Sequence, residues 1–577
     1  MTREPPVGMP VDLVVDPPLL THSLVVGITG HRKLREADAP ALQARVRGFL
    51  QALQQANPEL PVVLLSSLAE GSDQLAAQAA LDLGLRVIAP LPLPLALYRD
   101  DFDAAIARPR LEALVRQVEV LELPLETGGD AAAAAAVPGP ARDRQYAQAG
   151  MFVSSHCHVL LALWDGKPSG RLGGTAQVVR FHLHGSLYGT AERRHAAANL
   201  LGPDQENVVF HLPTAREDED PPADIAGSWL VAEEGRDVAG PLPAAFVRMF
   251  ARQAAFTVDA RRYAQQIQAQ PPDSPEAMRC PVWSSFRAAD WLARTYQRRV
   301  ARVLLATYAL VALMGFTFFT YTHVASEDLV IYGFLLLFVA GLVVVSLANR
   351  RQWQRKYLDY RTLAEGLRVQ SYWRRAGIVR PGMPAFAHEN FLQKQDVELG
   401  WIRNAMRGAS LDGMRVAMAG DAADVETVIA EWIGNAGPDG QLAYYSRASL
   451  RRARLHHRAE LLGRICIGLG VALSVLLALF ARRFDGHTKH LLVSVMGILS
   501  VAAAVHEAYV HKKADKELVR QYRFMLRIFE SAQRLLDGAG DLEEKRRILV
   551  ALGEAALTEH AEWTLMHRER PLPASRI

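Results

Sequence analysis

Hydrophobic positions along this chain follow two regimes, and the change between them comes near residue 300. From Ser23 to Pro213, short apolar runs rich in β-branched residues alternate with stretches of helical spacing. The runs predict strands at Leu24–Thr29, Val62–Ser66, Arg86–Leu91, Val118–Leu123, Val159–Trp164 and Val208–Leu212. Leu42–Ala56, Asp73–Leu83 and Ala176–His184 carry the spacing of the intervening helices. Strands apolar on both faces and separated by helices predict an α/β doubly wound parallel sheet, Rossmann-like in class.

Beyond residue 300 the runs lengthen. Val303–Thr322 and Leu329–Ala348 are each 20 residues without a charge, parted by Val324-Ala325-Ser326-Glu327-Asp328. Twenty residues rising about 1.5 Å each match a bilayer core of about 30 Å, so the pair predicts a membrane hairpin. A second pair, Ile465–Ala481 and Leu491–Val505, is shorter at 17 and 15 charge-free residues. Either it spans too, or it is a buried hairpin of a helical domain. Each pair is followed by a basic helix with a Tyr-Arg step, Tyr360-Arg361 and Tyr522-Arg523, a weak sign of an internal repeat.

These patterns divide the chain into a nucleotide-binding type of domain at 23–213, with an alanine-rich insert at Thr127–Pro140, and an acidic, proline-rich linker and helical connector at 214–283. An all-α membrane region follows, with a first helical unit at 284–378 around the pair 303–348 and a helical region at 379–450. The second unit, 451–536, surrounds the pair 465–510, and 537–577 forms a helical tail. The basic amphipathic stretch Phe286–Arg302 leads straight into the first apolar run, placed as a lever between ligand domain and membrane. Trp373, Trp401 and Trp432 fall in helical stretches and are expected to be core anchors.

Charge placement adds a topology. Lys+Arg 65 against Asp+Glu 61 gives a net charge of +4, too balanced for a nucleic-acid binder, and mean hydropathy is +0.03. Arg294, Arg298, Arg299 and Arg302 precede the first span, Arg350, Arg351, Arg355 and Lys356 follow the second, and the loop between has no basic residue. The positive-inside rule puts both flanks, and with them both termini, in the cytosol of a multi-pass membrane protein. The loop of the second pair carries Arg482, Arg483 and Lys489, fewer than its flanks. The start MTREPPVGMPVDLVVDPPLL lacks a basic head and long apolar core, so no signal peptide is expected. Three cysteines without metal-like spacing predict neither a disulfide scaffold nor a metal site.

Three segments lie where such sheets bind ligands, past the carboxyl ends of strands. In Gly27-Ile28-Thr29-Gly30-His31-Arg32 the glycines allow close approach to a phosphate, with His31 and Arg32 as donors. In Ser66–Asp73, Gly71 and Ser72 offer an amide and a hydroxyl, and Glu70 or Asp73 suits a ribose hydroxyl. Ser72 or Asp73 equally suits capping of a helix beginning near Gln74. In the third, Trp164-Asp165-Gly166-Lys167 leads through Gly170-Arg171 to Gly173-Gly174-Thr175, a glycine pair opening a helix as an anion nest. The apolar runs hold no ionisable group in the first pair, so no charged relay is predicted; Thr307, Tyr308, Thr317 and Thr320 are expected to pack between helices, and His506 and Glu507 to sit at an interface.

The order GITGHR, AEGSDQLAAQAAL, WDGKPSGRLGGTAQVV resembles the SLOG superfamily of Rossmann-like nucleotide-binding or nucleotide-processing domains. The apolar pairs with KYLDYRTLAEGLR and GQLAYYSRASLRRARLHHR resemble SLATT-type membrane effectors, found beside SLOG sensors in bacterial nucleotide-signalling defence. Together the resemblances imply a small nucleotide or nucleotide-derived second messenger as ligand, with no other cofactor. They also imply a homo-oligomer in the lipid bilayer that permeabilises the inner membrane in antiviral defence. LOG-type hydrolases carry a catalytic glutamate three residues after the Gly-Thr pair; here Val178 stands there, so binding without turnover is expected. The alternatives are a membrane-anchored nucleotide or NAD-type hydrolase using Glu70, and a scaffold that has lost its ligand.

Overall fold

The computed structural model describes residues 22–103, 106–125, 135, 137–169, 172–185, 207–221, 225–233, 236–271, 280–323, 327–379, 391–392, 397–414, 420–434, 440–480, 482–513 and 515–569. Two compact units emerge, Met1–Ala288 with Asn404–Val416, and Ala289–Arg403 with Ala417–Ile577.

The first unit is built on one sheet. Its strands are β1 (Leu24–Gly30), β2 (Val62–Leu65), β3 (Arg86–Leu91), β4 (Glu119–Glu122), β5 (Val159–Trp164), β6 (Val208–Pro213), β7 (Ser228–Glu233) and β8 (Arg236–Gly240). They lie in the order β4-β3-β2-β1-β5-β6-β7-β8. The first six are parallel, with Gly27 of β1 opposite Leu65 on one side and Leu160 on the other. β1, β2 and β5 are buried almost throughout, which is why they read as unbroken apolar runs rather than alternating ones.

β7 and β8 add an antiparallel hairpin to the β6 edge. The sheet is therefore mixed, and the expectation of a linker from residue 214 gives way over Ser228–Gly240. Leu230, Val231 and Ala232 are buried there, and the Trp229 ring lies edge-on to Phe49 at 5.8 Å and Phe210 at 4.9 Å. The acids and prolines just before this hairpin dominate the local composition and hide the strand pattern.

Helices α1 (Ala39–Ala56), α2 (Ser72–Asp82) and α3 (Ala107–Val115) pack together, and α4 (Pro140–His156) packs with α5 (Thr175–His184), as the two layers over a doubly wound sheet. In α1 the buried set Leu42, Val46, Phe49, Leu50 and Leu53 recurs at helical spacing on one face. Ala244–Arg262 follows the hairpin as α6. The alanine-rich insert lies outside the described residues except at Ala135 and Val137–Pro140, the last of which opens α4.

A later segment completes this unit. Between Asn404 and Met414 a helix returns to the amino-terminal ends of the strands. His158 accepts the Val25 N–H at Nδ1 (3.1 Å) and donates from Nε2 to Asn404 O (2.9 Å). Arg407 donates to Cys157 O at 3.2 Å, and Arg86, paired with Glu119, reaches Asp412 at 2.7 Å.

Every element described in the second unit is a helix. Among the described residues four helices are long and apolar enough to cross a membrane: Pro281–Thr322, Asp328–Arg375, Gln441–Phe480 and Gly486–Gly538. The first belongs to α7 (Pro281–His323), whose 43 residues extend for about 65 Å. Two helices, α8 (Asp328–Arg350) and α9 (Trp353–Arg375), share the second. Then come α10 (Ala422–Trp432), α11 (Gln441–Phe480), α12 (Gly486–Lys513), α13 (Asp515–Gly538) and α14 (Leu542–Arg568). Leu329 at 80 %, Leu336 at 70 % and Leu479 at 72 % exposure leave the apolar runs with outward hydrocarbon faces.

Small residues bring α7 and α12 together. A β-carbon on Gly315 would stand 2.6 Å from Val501, and one on Gly497 would stand 2.7 Å from Phe319. Tyr308 reaches across to donate to Ala508 O at 3.1 Å. Thr307, Thr317 and Thr320, expected between helices, satisfy their hydroxyls on the carbonyls four residues back in their own helix, and a β-carbon on Gly333 of α8 would stand 4.0 Å from the Thr317 methyl. Away from the apolar runs, Trp373, Trp401 and Trp432 are buried as anchors, and Arg361 bridges Asp290 at 3.2 Å and Glu365.

Candidate functional site

The chain leaves β1 toward β2, β3 and β4, then returns to place β5 on the other side of β1. The carboxyl ends of β1 and β5 flank this switch point, where open α/β sheets receive ligands. All three segments singled out in the sequence meet at this mouth, and they divide the work unequally.

The first two lock onto each other. Ser72 donates its N–H (3.1 Å) and its hydroxyl (2.9 Å) to His31 O. Gly71 has φ +82°, and a β-carbon there would lie 2.1 Å from Arg32 O, so only glycine fits this approach. One on Gly30 would lie 2.4 Å from Ser72 Cβ, and one on Gly27 would lie 2.7 Å from Val153 on α4. These glycines allow the close approach of Val153, Ser72 and the Arg32 main chain. Thr29 is buried within β1 opposite Ala162. The amino end of α2 is therefore committed to His31.

The capping expectation for Ser72 and Asp73 is corrected as well. α2 begins at Ser72 behind Gly71, and no side chain caps it. Asp73 turns inward instead, accepting the N–H groups of Ser67 and Ala69. Burial pushes its carboxyl up to about 7, against the pull of Arg32. The Tyr98 phenol, also pushed up by burial, donates to Ser67 O at 3.1 Å.

His31 is held from the β5 side. The Asp165 N–H donates to His31 Nε2 at 3.1 Å, which places the ring proton on Nδ1. Burial lowers the histidine pKa, so the ring is neutral near pH 7 and its Nε2 is an acceptor rather than the donor expected. Asp165 Oδ2 lies 3.5 Å from Arg216 Nε, and its Oδ1 accepts from Lys167 N at 3.0 Å around the turn at Gly166, φ +79°.

At this mouth Arg32 is exposed, Glu70 is half-buried, and α5 starts behind Gly174. The exposed Arg32 guanidinium lies 4.7 Å from the Tyr146 ring centre, and the Tyr146 hydroxyl is buried without a hydrogen-bond partner among the described residues. Gly173, φ +72°, presses on the α4 backbone, where a β-carbon would stand 2.8 Å from Ala147 N. Gly174 then precedes Thr175, the first residue of α5, and no side chain caps that helix. Gly170 and Arg171 lie outside the described residues. Val178, one turn into α5, is buried, and its Cγ2 stands 2.6 Å from the place of a Gly150 β-carbon. Residue 178 thus faces α4 rather than the mouth.

Tyr98, Tyr146 and Arg216 join the site without having been singled out in the sequence. Arg216 had a usable signal, standing three residues past β6; the tyrosines had none, since their helical neighbours carry no ligand pattern. Among the described residues no three His, Cys, Asp or Glu side chains gather as a metal site. Compared with protein-family models and with curated proteins, the chain matches none.

Proposed function

We propose that this chain is a nucleotide-responsive membrane protein, with its ligand site at the β1/β5 mouth and its response in the apolar helices. The observation that carries the reading is the pairing of Arg32 with an uncapped α5 amino end at the switch point of a sheet, in a chain with four helices of spanning length. A helix start attracts an anion, and arginine matches a phosphate bidentately. Phosphates at Thr175 and Arg32 leave the Tyr146 ring and the Glu70 carboxylate for the nucleoside.

Following the SLOG and SLATT resemblances, the response is oligomerisation or opening of the helices in the inner membrane, as in antiviral defence. The ligand drives it only by binding the active arrangement more tightly than the resting one. The Asn404–Val416 return to the first unit supports an even number of crossings by the first apolar pair, as the basic flanks also do.

Native mass spectrometry of the full chain in detergent, against linear, cyclic and ADP-ribose-type nucleotides, tests it. One nucleotide retained at full mass and lost in Arg32→Gln supports the reading; no retention across the panel overturns it. A retained or released fragment instead favours the hydrolase alternative, with Glu70 as the first residue to substitute.

A further inference from the structure

We propose that two copies of this chain dimerise through the groove between α13 and α14, about a two-fold axis running along it. This face supplies the partner for the oligomerisation proposed above, and it rests on that part of the reading alone.

The groove follows from the local sequence. The chain turns tightly between the two helices, and Asp541 accepts the Glu544 N–H at 2.7 Å to start α14. The pair packs antiparallel and buries Met525, Phe529, Leu536, Leu549 and Leu557 on its inner side. A second apolar row stays outside. Phe524, Ile528 and Leu535 of α13 and Ile548, Ala551 and Ala555 of α14 line a groove of about 780 Å³. Phe524 is 48 % exposed and Leu535 61 %. Helix α13 also carries four arginines, so a protein face suits this row better than lipid tails.

Charge order selects a second copy as the occupant and fixes how it sits. The antiparallel register sets Phe524 level with Ala555, and Leu535 level with Glu544. Along the flank of α13 the order is Arg523, Glu530, Arg534; at matching levels α14 carries Glu554, Arg547, Glu544. Each level thus has opposite signs on the two helices. A two-fold axis along the groove lays α13 of one copy beside α14 of the other. Arg523 then meets the partner's Glu554, Glu530 the partner's Arg547, and Arg534 the partner's Glu544. Phe524 enters at the level of the partner's Ala555, where a small side chain leaves room. An axis across the groove would set α13 on α13, whose flank carries Arg520, Arg523, Arg527 and Arg534 against Glu530. Arginine would then face arginine. The apolar row supplies affinity, and the charges choose the register.

Light scattering on the full chain in detergent, without nucleotide and over a range of concentrations, tests this. A dimer is expected, and Phe524→Asp/Leu535→Asp should be monomeric with an unchanged unfolding temperature. Arg523→Glu should weaken dimerisation about 10-fold, since symmetry repeats each like-charge contact. Arg523→Glu/Glu554→Arg should restore it. A chain monomeric at every concentration overturns the proposal, and oligomerisation with it. A dimer untouched by Phe524→Asp/Leu535→Asp overturns this face alone, the copies then meeting elsewhere. A loss in Arg523→Glu that the double reversal does not repair overturns the axis along the groove. A lowered unfolding temperature with the dimer retained would show the groove covered by a segment of the same chain, and would equally overturn it.

Discussion

Ser72 makes two hydrogen bonds to one acceptor, the main-chain oxygen of His31, through its N–H at 3.1 Å and its hydroxyl at 2.9 Å. The α2 amino end is thereby occupied from within. Ser72→Ala keeps the first bond and loses the second, at a cost of about 1 kcal/mol. We expect a lower unfolding temperature in calorimetry and unchanged nucleotide retention. A variant with native stability and weakened binding would place the hydroxyl on the ligand instead.

Arg32 has the opposite profile. Its guanidinium is exposed over Tyr146, so Arg32→Gln should leave stability within about 0.5 kcal/mol of the native chain. Loss of a charge-assisted phosphate contact should weaken nucleotide binding by roughly 10- to 100-fold. Titration calorimetry on the full chain decides this, and undiminished affinity would remove Arg32 from the site.

A glutamate placed at position 178 should not confer hydrolysis. Val178 points at Gly150 on α4, and Val178→Glu buries a carboxylate in that contact. The expected cost is on the order of 3 kcal/mol or more, visible as lost expression or a collapsed unfolding midpoint. A stable variant that cleaves nucleotides would show that α5 turns differently in the active protein.

The helical unit should respond to alkali through Glu559. Burial, with Glu365 beside it, pushes this carboxyl from 4.5 to about 7, while Gln521 and Arg361 pull it down. A carboxyl raised on folding contributes stability that is full below its unfolded pKa and is lost as pH rises through about 7. Glu559→Gln should flatten that dependence and gain about 1–3 kcal/mol over the native chain at pH 8. Denaturant melts in detergent at pH 6 and pH 8 measure it; a variant less stable at pH 8 would contradict the assignment.

The strands were legible because burial on both faces leaves a continuous apolar run, as in β5, VLLALW. The β7–β8 hairpin was not, since SWLVAE follows an acidic stretch and its partner RDVAG is exposed along most of its length. At the mouth, position was legible and role was not. Glycine allows close packing at Gly27, Gly30 and Gly71 with the same letter it would use beside a phosphate, and the neighbours Val153, Ser72 and Arg32 that require it lie far off in the chain or across a turn. Nor does local sequence mark Arg407, whose partner Cys157 lies 250 residues earlier.

That long return has a consequence for how the protein is made. His158 and Arg86 stand ready once the sheet has left the ribosome, yet their partners Asn404 and Asp412 come more than a hundred residues after Ala288. At 5–20 residues per second this is a wait of roughly ten seconds, during which both apolar runs of the first pair emerge. A buried histidine and the sheet's amino-terminal edge stay uncovered meanwhile. Completion of the α/β unit thus depends on the first apolar pair being disposed of first, and a nascent chain stalled at that step would present an unfinished sheet to chaperones and proteases.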